Sequence, residues 1–308
     1  MRWNSRMTTD RIPAVFERRD ARFDGIRGDS ELRILFDDGR WLEGPSYSPQ
    51  GRFLLFSDIP NDRVLRYDEV TGRVDVWAQP AGFENGRTVD SQGRFLSCQH
   101  GNRRVVRREH DGSTTVLADA YAGHPLNSPN DVVAHSDGSV WFTDPTYGIL
   151  TEYEGHRAAE QLGSRNVYRW AADPRSGDAS LTVVTDALTQ PNGLAFSPDE
   201  SLLYVSDSER RTVTVFDVDG GELRNGREFA SSHAGYDGLR LDDQGRVWAA
   251  TGEGVHVYHP DGALLGVLRL PEIVANLEFG GPQRNLLYIT ATTRLYAIRV
   301  TVEGAKRL

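Results

Sequence analysis

The sequence predicts an all-β fold, a six-bladed β-propeller with four strands per blade. From residue 31 onward, segments rich in aromatic and β-branched residues alternate apolar and polar positions with a period of two. Gly, Pro, Asp and Asn bound these segments, as is typical of strands and hairpin turns. In addition, a short motif occurs six times, a polar residue usually followed by glycine and then by alternating apolar residues. Repeats of about 40–45 residues with about four short strands each indicate propeller blades.

Each copy of the motif begins with a residue that carries a side-chain oxygen. The six residues, called the ring residues below, are Glu43, Asn85, Asn130, Asn192, Asp237 and Asn276. If the copies are equivalent innermost strands of a closed ring, these side chains converge at the mouth of the central channel. The alternative is that they only hydrate the channel or cap turns. The convergence is the stronger interpretation, because all six positions carry a carboxylate or an amide and none carries an apolar residue that could fill the channel mouth.

The interval from Asn130 to Asn192 is longer than the other intervals, and the extra residues fall roughly at 145–164. They connect the second and third strands of the third blade. The first strand of a blade starts at one rim, here called the top rim, and the second strand returns to it. The insertion therefore lies beside the ring residues, where we expect it to form a lid or a pocket wall. A surface insertion without function is the alternative, because loops tolerate changes in length.

The last copy of the repeat supplies only three strands. The segment at about 31–37, directly before the first blade, resembles the fourth strand of the other blades. We therefore expect it to complete the sixth blade and close the ring, which removes open sheet edges. Residues 31–308 then form a single propeller domain, and residues 1–30 form an N-terminal extension outside the repeat. Within that extension, residues 12–19 could form a short helix.

Composition limits the possible partners. The net charge of −9 and the pI near 5.4 argue against nucleic acid or an anionic membrane, because phosphate binding needs a basic face. The single cysteine, Cys98, cannot form an internal disulfide. Residues 1–27 contain no apolar run of the kind found in signal peptides or membrane spans. We therefore expect a cytoplasmic protein, and the oligomeric state is open.

The ring residues favour a divalent metal. Carboxylate and amide oxygens without clustered Cys or His are the ligands that Ca²⁺ or Mg²⁺ prefers. Glu43 and Asp237 would balance a divalent charge, and the neutral Asn carbonyl oxygens would add ligands without repulsion. The sequence contains no EF-hand loop, zinc signature, P-loop or Gly-x-Ser-x-Gly motif.

Several motifs occur in order at matching blade positions and resemble those of the gluconolactonase/regucalcin (senescence-marker-protein) family. They are Glu43-Gly44-Pro45, Ser128-Pro129-Asn130-Asp131, Pro191-Asn192-Gly193-Leu194-Ala195-Phe196-Ser197 and Tyr236-Asp237-Gly238. The segments 98–105 and 144–148 resemble the bacterial gluconolactonase branch of that family. The resemblance covers about residues 31–300. It implies a six-bladed propeller with a divalent metal, often Ca²⁺, in the central channel.

The resemblance also implies roles for individual residues. Glu43, Asn192 and Asp237 match the metal ligands of the family, and Asn130 matches an Asn that faces both metal and substrate. The implied reaction is hydrolysis of a sugar lactone, with gluconolactone as the first candidate, the metal polarising the lactone carbonyl and water as the nucleophile. Ca²⁺ is the first candidate metal, and Mg²⁺, Mn²⁺ or Zn²⁺ are alternatives. Asp237 is the candidate base, although a carboxylate bound to metal is a poor base.

Three further residues are candidate substrate contacts. His100 lies in the loop between the second and third strands of blade two, at the top rim, where it could hydrogen-bond substrate or transfer a proton. Tyr147 opens the insertion, and Asn85 is the ring residue of the second blade. Packing is the alternative for the first two. Ser128 departs from the animal regucalcin branch, which has a substrate-contacting Arg there, so the sugar contacts should come from other residues.

Two rival functions stay open at this point. The same site could open other esters or phosphotriesters, because fold and metal do not determine the substrate. A non-catalytic calcium-binding or scaffold propeller is the alternative of a different class. Against a scaffold, the top rim is predicted to carry polar ligands instead of an exposed apolar patch.

Overall fold

The computed structural model describes residues 10–173 and 175–305, nearly all of them in strands, turns and loops. Three short strands precede the first blade: β1 (Arg11–Pro13), β2 (Val15–Arg18) and β3 (Glu31–Phe36). The first blade consists of β4 (Leu42–Ser48), β5 (Phe53–Asp58), β6 (Arg63–Asp68) and β7 (Val74–Ala78). The second consists of β8 (Glu84–Val89), β9 (Phe95–Gln99), β10 (Arg104–Arg108) and β11 (Thr114–Ala118), followed by a hairpin of β12 (Ala120–Tyr121) and β13 (His124–Pro125).

The remaining blades continue the pattern. The third blade consists of β14 (Val132–Ala134), β15 (Val140–Thr143), β16 (Val167–Ala172) and β17 (Ala179–Thr185), and the fourth of β18 (Pro191–Phe196), β19 (Leu202–Asp207), β20 (Thr212–Asp219) and β21 (Glu222–Ser231). The fifth contains β22 (Leu239–Leu241), β23 (Val247–Thr251), β24 (Gly254–Tyr258) and β25 (Leu264–Arg269), and the sixth β26 (Val274–Gly280), β27 (Leu286–Ala291) and β28 (Leu295–Arg299). Helical turns are short: 3₁₀ helices at Ala21–Gly25 and Ile59–Asn61, and one α-helical turn, α1, at Tyr147–Leu150.

The six blades form a closed ring, as predicted. The first strand of each blade contacts the first strand of the next blade, and β26 of the sixth blade returns to β4 of the first. The predicted closing strand is also confirmed, because β3 pairs antiparallel with β28, with Phe36 opposite Leu295 and Arg33 opposite Ala297. No helix in the described part of the chain has the length and apolar content needed to cross a membrane.

The helix expected over residues 12–19 is wrong. In its place, β1 pairs with β3 at the outer edge of the sixth blade, and β2 pairs with β25 at the outer edge of the fifth. Ile12, Ala14 and Phe16 pack against the buried cluster of these blades. Their spacing of two residues is the period of a strand, and the outer edges of the two blades supply the unpaired backbone groups that an added strand needs. The prediction that residues 31–308 form a single domain stays a prediction.

The hydrophobic core lies between the sheets, where neighbouring blades pack face to face. Its largest fully buried side chains include Trp141, Trp248, Tyr168 and Tyr288. An arginine is also fully buried, at position 87. Its guanidinium donates to Glu84 Oε2 at 2.7 Å, to the Gly44 carbonyl at 2.8 Å and to Ser57 Oγ at 3.1 Å. Arg87 therefore joins the first and second blades directly beside two ring residues.

Candidate active site

A cavity of about 410 Å³ lies where the ring residues converge. Five of the six line it: Glu43, Asn85, Asn130, Asn192 and Asp237. The sixth, Asn276, lies behind Glu43 and donates from Nδ2 to Glu43 Oε2 at 3.1 Å. The convergence predicted from the repeat is therefore present.

A hydroxyl group on one blade holds the ring residue of the next blade in three places. Each hydroxyl belongs to the second strand of its blade and donates to a backbone carbonyl. The pairs are Ser57 to Asn85 at 2.9 Å, Thr143 to Asn192 at 2.7 Å and Ser206 to Asp237 at 2.7 Å. Because these bonds act on the backbone, the side chains of the ring residues stay available for the cavity.

The glycines that follow ring residues make this close approach possible. A Cβ atom added at any of them would lie 2.5 Å or less from the ring residue of the next blade, which real Cβ contacts do not allow. The glycines are Gly44, Gly86, Gly193 and Gly238. The recurrence of glycine after an acidic or amide residue thus has a steric cause, the tight packing of neighbouring first strands around the channel.

Three carboxylates share the cavity, and two of them are ring residues. Burial, with smaller contributions from the charges of Asp131 and Glu154, raises the pKa of Glu43 to about 7, against hydrogen bonds from Gly44 and Asn276 that lower it. Burial also raises the pKa of Asp237 well above its usual value, with further contributions from Glu43 and Glu154. The pKa of Glu154 rises to about 7 through burial. Negative charge gathered in so small a volume is costly without a cation.

The donor set fits a divalent metal. Among the described residues, Asp237 Oδ1 and Asn85 Oδ1 are buried oxygens without a hydrogen-bond partner. The described chain holds no group of three His, Cys, Asp or Glu side chains arranged to hold a metal ion. The candidate set has two carboxylates, Glu43 and Asp237, together with amides. Hard oxygen donors of this kind suit Ca²⁺ or Mg²⁺ better than a soft transition metal.

This arrangement predicts how pH affects stability. The pKa of Glu43 is about 7 in the folded protein, against a usual value of 4.5. Between these two pH values Glu43 keeps its proton in the folded protein and loses it in the unfolded chain. Its contribution to stability is complete below pH 4.5 and is lost as the pH rises through 7. In EDTA, the Tm should therefore be higher at pH 6 than at pH 8. Ca²⁺ should raise the Tm more at pH 8, because a cation needs ionised ligands.

Thermal unfolding in EDTA and in excess Ca²⁺, at both pH values, tests this prediction. Glu154 and Asp144 change the Tm in the same direction, because burial raises the pKa of each to about 7. Glu43→Gln isolates the contribution of Glu43 and should reduce both the pH effect and the Ca²⁺ effect. An equal Ca²⁺ effect at the two pH values would count against a cation site at these carboxylates.

His100 does not line the cavity but lies behind Asn85, fully buried. Its Nδ1 is 3.1 Å from the Glu154 backbone carbonyl, and its Nε2 is 3.2 Å from Asn85 Nδ2. The carbonyl can only accept, so Nδ1 carries the proton and Nε2 accepts from the Asn85 amide. Burial lowers the pKa of His100 to about 4, which keeps the ring neutral. His100 therefore orients Asn85 so that its Oδ1 is left for the cavity.

The insertion between β15 and β16 forms part of the cavity wall, as expected from its position at the top rim. Tyr147 and Glu154 both line the cavity. Burial raises the pKa of Tyr147 to about 12, so its hydroxyl stays protonated and able to donate. The insertion also reaches the first blade, where Tyr153 stacks under the Arg40 guanidinium at 5.5 Å.

Some wall residues were not predicted from the sequence. Glu154 is one, and the others include Trp41, Arg211, His233 and Ile273. Glu154 falls inside the predicted insertion, so the sequence predicts that it lies at the top rim. The sequence does not predict the direction of its side chain. The other four lie in loops at the same rim, where no repeat position marks them.

A second cavity, of about 470 Å³, lies at the opposite end of the channel. Arg240 lines it and bonds to Glu278 at 3.1 Å and to Asp131 at 3.5 Å. Asp131 directly follows the ring residue Asn130, so the guanidinium of Arg240 lies between the upper site and the lower cavity. The ring residues do not line the lower cavity.

The sequence matches the family described as an SMP-30/Gluconolactonase/LRE-like region over residues 41–293. A gluconolactonase from Zymomonas mobilis is 30% identical over 301 residues, which cover 89% of this chain and 82% of the relative. A pentonolactonase from Haloferax volcanii is 29% identical over 269 residues, which cover 84% of each chain. The solved structure of a gluconolactonase from Xanthomonas campestris has a TM-score of 0.87 at 37% identity, covering 95% of this chain and 96% of that one.

Proposed function

This chain belongs to the SMP-30/gluconolactonase/LRE-like family, and we propose on that basis that it hydrolyses a sugar lactone to the aldonic acid. It is an enzyme of the gluconolactonase type, with an aldono-lactone such as gluconolactone as the first substrate to test. The observation that carries the proposal is the cavity in which five ring residues meet, on a fold shared with a gluconolactonase at 37% identity.

The proposed metal site consists of Glu43, Asn130, Asn192 and Asp237. Its support is the charge of the two carboxylates, the buried Asp237 Oδ1 without a partner and the hard-oxygen character of the set. Ca²⁺ is the first candidate, and Mg²⁺, Mn²⁺ and Zn²⁺ follow. A divalent cation bound there would polarise a lactone carbonyl and stabilise the charge that develops on its oxygen.

The chain's own residues bind and orient the lactone around that site. Asn85 Oδ1 is a fixed acceptor for a sugar hydroxyl, because His100 holds the amide of Asn85 from behind. Tyr147 can donate from its protonated hydroxyl, and Asn130 offers its amide to substrate as well as to metal. Trp41 and Ile273 add apolar surface for the ring carbons of a sugar.

Asp237 is the base predicted from the sequence, and this role competes with its role as a ligand. A carboxylate that gives electron density to a cation has a lowered pKa and accepts a proton poorly. We therefore propose Asp237 first as a ligand, and its role as base stays a prediction.

A lactone panel tests the function. The purified protein in Ca²⁺ should hydrolyse six-membered aldono-lactones and five-membered pentonolactones faster than it hydrolyses paraoxon-type phosphotriesters, as measured by acid or phenol release. Phosphorylated lactones in the panel define the substrate further. Preferential turnover of phosphotriesters would favour the rival hydrolase. Tight Ca²⁺ binding without turnover of any member would favour the non-catalytic propeller.

A further inference from the structure

One carboxylate in the cavity lies outside every ring position. Glu154, in the insertion between β15 and β16, lines the cavity together with Glu43 and Asp237. It reaches the site from above, from a loop, whereas Glu43 lies at the start of β4 and Asp237 lies two residues before β22. A cavity with three carboxylates has one more than a divalent cation needs for charge balance.

The fold holds the backbone of Glu154 in a fixed place. Its carbonyl accepts a hydrogen bond from His100 Nδ1 at 3.1 Å. Gly148 packs on the His100 ring so closely that an added Cβ would lie 2.5 Å from the Cβ atom of His100, and Gly155 packs on Gly148 in turn. Two glycines and a buried histidine thus clamp the loop at the point where Glu154 enters the cavity.

The carboxylate itself is free. No described group donates a hydrogen bond to the carboxylate oxygens of Glu154, and burial alone accounts for the raised pKa of this side chain. The other acids of the insertion are engaged: Glu152 accepts from the Arg157 backbone amide at 2.9 Å, and Glu160 accepts from Arg165 at 3.3 Å. Glu43 accepts from Gly44 and Asn276. Among these four acids, only Glu154 faces the cavity without a partner.

We propose that Glu154 is the proton-transfer residue of lactone hydrolysis in this enzyme, with His100 as the residue that positions it. The proposal rests on the proposed function. A carboxylate outside the ligand set keeps its basicity, and its partly enclosed position beside the cavity suits a group that must reach both water and substrate. It separates the two roles assigned to Asp237, which is then a ligand only.

The step balances without a further reactant. The Glu154 carboxylate takes a proton from water as the water oxygen forms a bond to the lactone carbonyl carbon, and the π electrons move to the carbonyl oxygen. When these electrons form the carbonyl double bond again, the bond from the carbonyl carbon to the ring oxygen breaks. The ring oxygen leaves with the proton from Glu154, which becomes a carboxylate again. The product is the hydroxy acid, one water heavier than the lactone.

Glu154→Gln tests the proposal because it keeps the shape of the side chain and removes the proton acceptor. In saturating Ca²⁺, kcat should fall about 10²–10⁴-fold, the usual contribution of a positioned acid–base group. KM should stay unchanged. The Ca²⁺ dissociation constant should rise much less than in Asp237→Asn, because Glu154 acts on the cation site only through its charge. Glu152→Gln is the matched control, since it makes the same change in an exposed acid of the same insertion and should keep wild-type kcat.

A second variant distinguishes chemistry from structure. Glu154→Gly opens space for a small carboxylate, and added formate should restore part of kcat in a concentration-dependent way. Retention of wild-type kcat by Glu154→Gln would overturn the proposal, as would a loss of Ca²⁺ affinity as large as that of Asp237→Asn, which would make Glu154 a ligand. A rise in KM alone would make it a binding group and would also overturn the proposal. Failure of the wild-type chain to open any lactone is a separate result, and it would refute the proposed function itself.

Discussion

Asp237→Ala is expected to lower kcat/KM for lactone hydrolysis at least about 1,000-fold, because it removes a charged donor from the proposed cation site and with it the stabilisation of the carbonyl oxygen. The fold should survive. Burial and three neighbouring carboxylates already raise the pKa of Asp237, so its ionised form destabilises the metal-free chain. Ca²⁺ titration should show weakened binding, and circular dichroism should be unchanged.

Asp243→Ala is the control for this experiment, because Asp243 is an exposed residue in a turn of the same blade. It should keep full activity. Asp237→Asn refines the result, because it retains an oxygen donor and loses the charge. The activity of this variant should lie between that of Asp237→Ala and that of the wild type. Unchanged turnover in Asp237→Ala would remove this residue from the site.

Arg87→Met is expected to lower the free energy of unfolding by about 3–5 kcal/mol, the usual cost of removing one partner from a buried ion pair. The substitution leaves Glu84 buried and without its cation, and it breaks the bonds to Gly44 and Ser57 that join the first two blades. Urea unfolding followed by tryptophan fluorescence measures the effect.

The control for Arg87 is Arg73→Met, which removes an exposed arginine that pairs with Asp75. Exposed pairs contribute about 0–1 kcal/mol, so this variant should be close to wild type. In the double variant Arg87→Met with Glu84→Gln, part of the loss should return, because no uncompensated charge stays buried. A loss for Arg87→Met no larger than that of its control would show that the buried pair does not hold the blades together.

The blades could be predicted from the sequence because a propeller repeats one local pattern. Alternation with a period of two marks the strands, and an acidic or amide residue, followed by glycine in four of the six copies, marks the start of each first strand. That glycine is needed for packing against the next blade, so the motif and the ring have the same physical origin. Strand parity alone predicts that the insertion lies at the top rim. In the structure, two residues of the insertion, Tyr147 and Glu154, line the cavity.

The remaining features depend on contacts that no local pattern encodes. Strands β1 and β2 are three and four residues long, and they are strands only because blades five and six offer free edges. Glu154 and Glu152 are both acids in one irregular loop, and the packing of Gly148 and Gly155 decides which of them enters the cavity. The sequence predicts His100 in a loop at the top rim, but its position behind Asn85 follows from the direction of a side chain, which strand parity does not determine.

The pairing of β3 with β28 has a consequence for synthesis of the chain on the ribosome. The sixth blade takes its outer strands from Arg11–Pro13 and Glu31–Phe36 and its inner strands from residues after position 273. The edge of β3 that pairs with β28 therefore stays without its partner while almost the whole protein is made. Local blades can form as they emerge, but the ring cannot close until Leu295–Arg299 leaves the exit tunnel. Closure, and with it the assembly of Glu43 beside Asn276, is a late event that couples the site to completion of the chain.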